Sequence, residues 1–162
     1  MDIFIRLSGA VAIIAGISNA YLSFQRLESD STIPWYYRAA DIAALIAVVG
    51  IYLYQREAAG IFGLIAFVVT IAALLMLIFR LNYGLAISIY ALGLILLAIA
   101  ALRANSFPSW VSLLWIVAPL IGMPGFLIPN LQTTLNRLAA IVFALGFVGA
   151  GYHLFTVGSA LP

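Results

Sequence analysis

Apolar residues run along this chain in long continuous stretches separated by short polar steps, without the alternation that marks a half-buried strand. Six stretches stand out, at 7–24, 39–54, 58–79, 85–102, 110–128 and 137–157. A helix crosses a bilayer core with about 20 residues, so the pattern predicts six membrane-spanning helices. The first polar step, 25–32, holds Arg26, Glu28 and Asp30. Pro34, Trp35, Tyr36 and Tyr37 then read as an interfacial entry into the second helix, since Pro suits a first turn and Trp and Tyr favour the headgroup level. Gln55, Arg56 and Glu57 end that stretch. Arg80, Leu81, Asn82, Tyr83 and Gly84 form a short break, expected to be the tightest antiparallel connection. Pro119 predicts a kink in the fifth stretch.

Composition agrees with the pattern. Of 162 residues, 66% are hydrophobic and 7% charged, against roughly 45–50% and about 25% in soluble domains. Mean hydropathy is +1.21. These values exclude a soluble globular domain, a disordered chain and a nucleic-acid binder, and the continuous runs exclude a β-barrel wall. Six spans take roughly 120 residues, which leaves no room for a soluble domain. The expected fold is therefore all-α, a single polytopic transmembrane helical bundle over 1–162. Arg6 before an apolar stretch, with Ser18, Asn19 and Ala20 beyond it, resembles a signal peptide; the acidic Asp2 argues against that, and the segment is taken as the first span.

Seven arginines, no lysine, five acids and one histidine give a net charge of +2, too small for a polybasic lipid-binding surface. On six spans the arginines divide three against four between the two faces and set no orientation. Without lysine no Schiff base forms on a side chain, and without cysteine there are no disulfides or thiolate ligands. One histidine and five scattered acids supply no recognisable zinc site, and no phosphate-binding glycine loop is present. The middle of the predicted bundle is nearly free of ionisable groups, which argues against proton-coupled pumping.

Three sets of residues remain as candidates. Ser8, Ala12, Gly16 and Ala20 make a small-residue ladder on the first span, and Gly146 and Ala150 a shorter one on the last. Such ladders let helices approach closely, within one bundle or against a partner. Asp41 lies in the first turn of the second span, where Arg38 can pair with it; the alternative is a substrate or ion site shared with Asn19 or Tyr21. His153 has Gly149 one turn earlier on the same face. It reads as a packed or snorkelling residue, as a group with a proton or substrate role, or as an axial ligand to a flat haem- or chlorophyll-type group. The cofactor, if any, is not specified. The first and last spans also echo each other at an offset of 131, pairing Arg6 with Arg137, Val11 with Val142, Tyr21 with Tyr152 and Phe24 with Phe155. Repeat-built transporters have such echoes, but cationic and aromatic residues mark the ends of many spans, and the simpler reading is preferred.

The segment 103–110, Arg-Ala-Asn-Ser-Phe-Pro-Ser-Trp, precedes a span with Pro119 and Gly122, and the last span ends Gly151, Tyr152, His153, Leu154, Phe155. This resembles uncharacterised small bacterial integral membrane proteins of about six spans. The resemblance covers the last 60 residues or so. It implies a prokaryotic cytoplasmic-membrane location and carries over no activity or site residues. The function expected is non-enzymatic: an accessory or structural subunit of a larger membrane complex, packed against lipid, pigment, other subunits or copies of itself. The alternatives are a small permease or channel for an uncharged or lipophilic solute, with Pro119, Pro124 and Gly125 at a broken helix, and a cofactor-binding protein centred on His153.

Overall fold

A computed structural model describes residues 2–25, 35–126 and 128–157. Its helices are α1 (Asp2–Phe24), α2 (Trp35–Ile78), α3 (Tyr83–Ala104), α4 (Ser109–Gly122) and α5 (Gln132–Val157), with two 3-10 turns, Met123–Phe126 and Pro129–Leu131, between α4 and α5. The protein is an all-α, membrane-spanning polytopic bundle. Arg26, Glu28 and Asp30 lie outside the described residues.

The expected count of six spans is corrected. Among the described residues, four helices are long and apolar enough to cross a membrane: α1, α2, α3 and α5. Two physical reasons account for the difference. The stretches 39–54 and 58–79 are two arms of one 44-residue element: the first arm stays helical through Gln55, Arg56 and Glu57, and the chain reverses at Gly60 with no polar loop between them, so the element counts once. The fifth stretch is helical for only 14 residues, about 21 Å of rise against a core of about 30 Å. Pro119 lies near its end, and Pro124 falls in the 3-10 turn that replaces its last part.

α2 is not straight. At Gly60 the backbone takes φ 56°, ψ −149°, a region essentially restricted to glycine. The two arms fold back on each other there. Tyr52 stacks on Phe67 with centroids 4.2 Å apart, and Asp41 near the start of α2 reaches Arg80 beyond its end. The tightest reversal is thus Gly60 rather than the expected 80–84 turn. That turn is a Schellman motif: Leu81 N–H donates to Met76 C=O at 2.9 Å and Arg80 N–H to Leu77 C=O at 3.1 Å. Arg80 occupies the left-handed position at φ 54°. Asn82 then caps α3, its side-chain oxygen accepting from Leu85 N–H at 3.1 Å.

The helices form a ring in chain order, each against the next, closed by α1 against α5. Close approach rests on small residues. A Cβ on Gly151 would collide with the Gly9 carbonyl oxygen, and one on Gly16 would lie 2.9 Å from the Ala144 carbonyl oxygen. These pairings run α1 antiparallel to α5. Of the predicted ladder, Ser8 and Ala12 are fully buried. Ser8 fills the place where Gly50 of α2 lacks a side chain, and Gly16 faces α5. Ala20 is half-buried beside Ala144 on the outer α1–α5 groove. Gly146 makes room for the Trp115 indole, and Ala150 is buried in the core.

The echo between the first and last spans takes a definite form here. Arg6 lies over the Phe155 ring at 5.4 Å, and Arg137 over the Phe24 ring at 5.3 Å. Echo partners therefore contact echo partners reciprocally across the antiparallel α1–α5 seam. The core beside that seam is a run of rings, Phe107–Trp115–Phe147–Phe143–Tyr90, with centroid spacings of 5.9, 5.8, 4.3 and 6.0 Å.

Gly151→Ala should destabilise the fold by about 1–3 kcal/mol, the usual cost of overpacking, because its methyl group meets backbone that cannot turn aside. Gly84→Ala, whose nearest neighbour would be 3.8 Å away, should be neutral or slightly stabilising. Unfolding midpoints in mixed micelles check both.

Candidate functional site

α3 and α5 have no backbone contact in the ring, and only part of the gap between them is bridged by the Tyr90 and Phe143 rings at 6.0 Å. Small residues line that gap, among them Ala91 on α3, Ala118 and Gly122 on α4, and Ala139 and Ala140 on α5. Their missing side-chain volume and the early end of α4 leave a cavity of about 470 Å³, to which all five helices contribute. Exposed Gln25, Tyr83, Gln132 and Asn136 stand at its rim. Buried Ala44, Leu74, Leu94 and Phe143 form its floor. Beyond Phe143 the packed Phe147 and Trp115, both fully buried, close the bundle. This volume suits a drug-sized molecule, and the mix of apolar walls with a few polar groups is that of a ligand pocket.

The polar groups of the cavity centre on an ion pair. Arg80 Nη2 lies 3.4 Å from Asp41 Oδ2, with side chains 19% and 16% exposed. The Schellman turn holds Arg80 there, and the fold-back at Gly60 brings it to Asp41. Asp41 Oδ2, Arg80 Nε and Nη2 and the Tyr90 hydroxyl are all buried without a hydrogen-bond partner. Orphaned buried polar atoms are unusual and each carries a cost of about 1–3 kcal/mol. Asn19, expected beside Asp41, lines the same cavity, with its Nδ2 donating to the Ala15 carbonyl at 2.9 Å. The expected partner of Asp41 was Arg38; Arg38 is exposed, and the ion pair is made with Arg80 instead. Tyr21, the other expected companion, is 64% exposed and lines the outer groove between α1 and α5.

His153 is far from this cavity in the ring run, beside Phe107, with centroids 5.3 Å apart. Its Nε2 lies 3.2 Å from the Tyr54 hydroxyl. Next to it the Ser106 hydroxyl donates to buried Gln55 Oε1 at 3.1 Å. The space over Gly149, read from sequence as room for a flat group, is filled by the Trp110 indole of this same chain. His153, Tyr54, Ser106 and Gln55 thus form a polar cluster that ties α5 and the α3–α4 turn to α2. Among the described residues no group of three His, Asp or Glu side chains is placed to hold a metal ion.

Sequence reasoning missed Arg80, Tyr90 and the small residues of α3 and α5 as cavity residues. In the sequence Arg80 falls in the short polar break between two apolar stretches. Its signal was its position after an apolar stretch where glycine usually stands. Tyr90 carried a signal too, as a tyrosine in the middle of an apolar stretch rather than at its end. Compared with known protein families, curated proteins and solved structures, the chain matches none.

Removing one member of the ion pair should be costly and removing both should not. Asp41→Leu is expected to destabilise by about 3 kcal/mol, near the lower end for a buried pair because both groups keep some exposure, and adding Arg80→Leu should recover most of the loss. A double-mutant cycle of unfolding free energies in mixed micelles measures the difference. Additive losses would mean that the two charges are solvated independently.

Proposed function

We propose that this chain is an integral membrane protein that binds a small, uncharged lipophilic molecule in the cavity between its helices, as the binding half of a small permease. The observation that carries this reading is the cavity itself: apolar walls, a net-neutral ion pair and orphaned polar atoms, open at the rim and closed beyond Phe143 by packed rings. The end of α4 at Gly122 and the two 3-10 turns that follow support the permease form, because broken helices beside a cavity are where transporters place binding sites. Pro119, Gly122 and Met123 all line the cavity. The reading invokes no chemistry on the bound molecule. We place the chain with small bacterial membrane proteins of the prokaryotic cytoplasmic membrane, on the resemblance of its last two stretches.

The accessory-subunit reading drew on plentiful small-residue surface for partners. Much of that surface is used within the chain: Gly9, Gly16, Gly50, Gly146, Gly149 and Gly151 all meet other helices of the same molecule. This favours the cavity over an external docking role.

Native mass spectrometry after gentle extraction tests the proposal. The wild-type chain should carry a non-covalent adduct of a small lipophile. Ala140→Trp, which fills the cavity from α5, should lose it. An adduct that survives Ala140→Trp, or its absence from the wild type, would count against the cavity. A fixed-stoichiometry assembly with other chains and no small-molecule adduct would return the reading to an accessory subunit.

A further inference from the structure

We infer that the cavity selects a hydroxyl-bearing lipophile, a long-chain alcohol whose oxygen joins Asp41 to Arg80. The inference rests on the cavity-binding reading above and adds the chemistry of the ligand's head.

The polar groups at the centre of the cavity lack hydrogen-bond partners. Asp41 presents only acceptors and Arg80 only donors. Their facing atoms are 3.4 Å apart without a hydrogen bond between them. Both side chains line the cavity and keep about a sixth to a fifth of their surface open. The Tyr90 hydroxyl, on a side chain that lines the same cavity, is buried and unpartnered. A ligand atom that both donates and accepts satisfies this set: it donates to the carboxylate and accepts from the guanidinium, and Tyr90 is free to turn toward it. A hydroxyl does this with one atom. An ether or ketone only accepts, so it leaves Asp41 unsatisfied. A carboxylate meets the charge of Asp41, and an amine meets that of Arg80. The charges of the pair cancel, so the site gives no net attraction to an ion that would have to leave water for apolar walls. Leu74, Leu77, Ile87, Leu94 and Phe143 supply the surface for an alkyl chain.

The test uses the full chain in phosphatidylcholine nanodiscs. A decanol analogue with a diazirine at the far end of its chain is photolysed, and the labelled residues are mapped by peptide mass spectrometry. Unlabelled n-decanol, decyl methyl ether and decanoate then compete. Labelling should fall on cavity residues, and n-decanol should displace the probe at a concentration at least about tenfold below the other two, as expected for a hydrogen bond to a charged group. Tyr90→Phe, which keeps the ring, should weaken n-decanol about threefold to tenfold, the worth of one hydrogen bond. Asp41→Ala leaves Arg80 as an unpaired cation and should reverse the order, so that decanoate competes best. Cavity labelling with the ether or decanoate equal to n-decanol in the wild type overturns the hydroxyl assignment and leaves the cavity reading standing. Labelling that avoids the cavity residues overturns both. The wild-type competition decides the inference whether or not Asp41→Ala folds.

Discussion

At Gly60 the backbone adopts a conformation closed to residues with a Cβ, and the two arms of α2 return alongside each other. The ion pair at the centre of the cavity follows from that reversal. It brings Asp41, near one end of the element, to Arg80, just past the other. It sets Tyr52 on Phe67 and lets the second arm run on into the turn that starts α3. Without it, 44 helical residues would extend about 66 Å, and the two charges would sit at opposite ends.

The ring of helices turns this reversal into a container. α1 and α5 close the ring through backbone contacts that only glycine allows, and the short α4 leaves one side of the interior incomplete. Where α4 is present, its Trp115 joins Phe147 and Phe143 in a packed run of rings. Where α4 has ended, the same interior is empty. The boundary between solid core and cavity is therefore the place where large aromatic side chains give way to alanine and glycine. Small residues serve two purposes here. On α1 they remove distance between helices, and on Ala91, Ala139 and Ala140 they leave volume unfilled.

Much of this was legible in the chain. The apolar runs specify a membrane bundle because nothing else buries so little charge. Asp41 and Asn19 stand out from sequence because each is a polar side chain within an apolar stretch, and the fold places both on one cavity. The number of spans was not legible in the same way. A polar triplet, Gln55–Arg56–Glu57 in sequence, reads as a loop, yet Gln55 is buried against Ser106 and the helix continues past it. The break comes three residues later at one glycine, and an isolated glycine does not announce which torsion angles it takes. Nor could spacing find Arg80 as the partner of Asp41, since 39 positions separate them along the chain. The echo of the first span in the last was visible, but only packing reveals that Arg6 meets Phe155 and Arg137 meets Phe24.

Arg80 performs two tasks with one residue. Its backbone ends a helix in the left-handed conformation, where L-residues other than glycine and asparagine carry a penalty of about 1–2 kcal/mol. Its side chain supplies the guanidinium of the cavity. The two tasks ask for different amino acids. Glycine would relax the turn and empty the site of its cation; arginine keeps the cation and holds the turn under tension. Because an unpaired Asp41 costs more than the turn gains, a library screened for stability alone should move away from arginine here only together with a change at Asp41, and one screened for retention of bound lipophile should keep both.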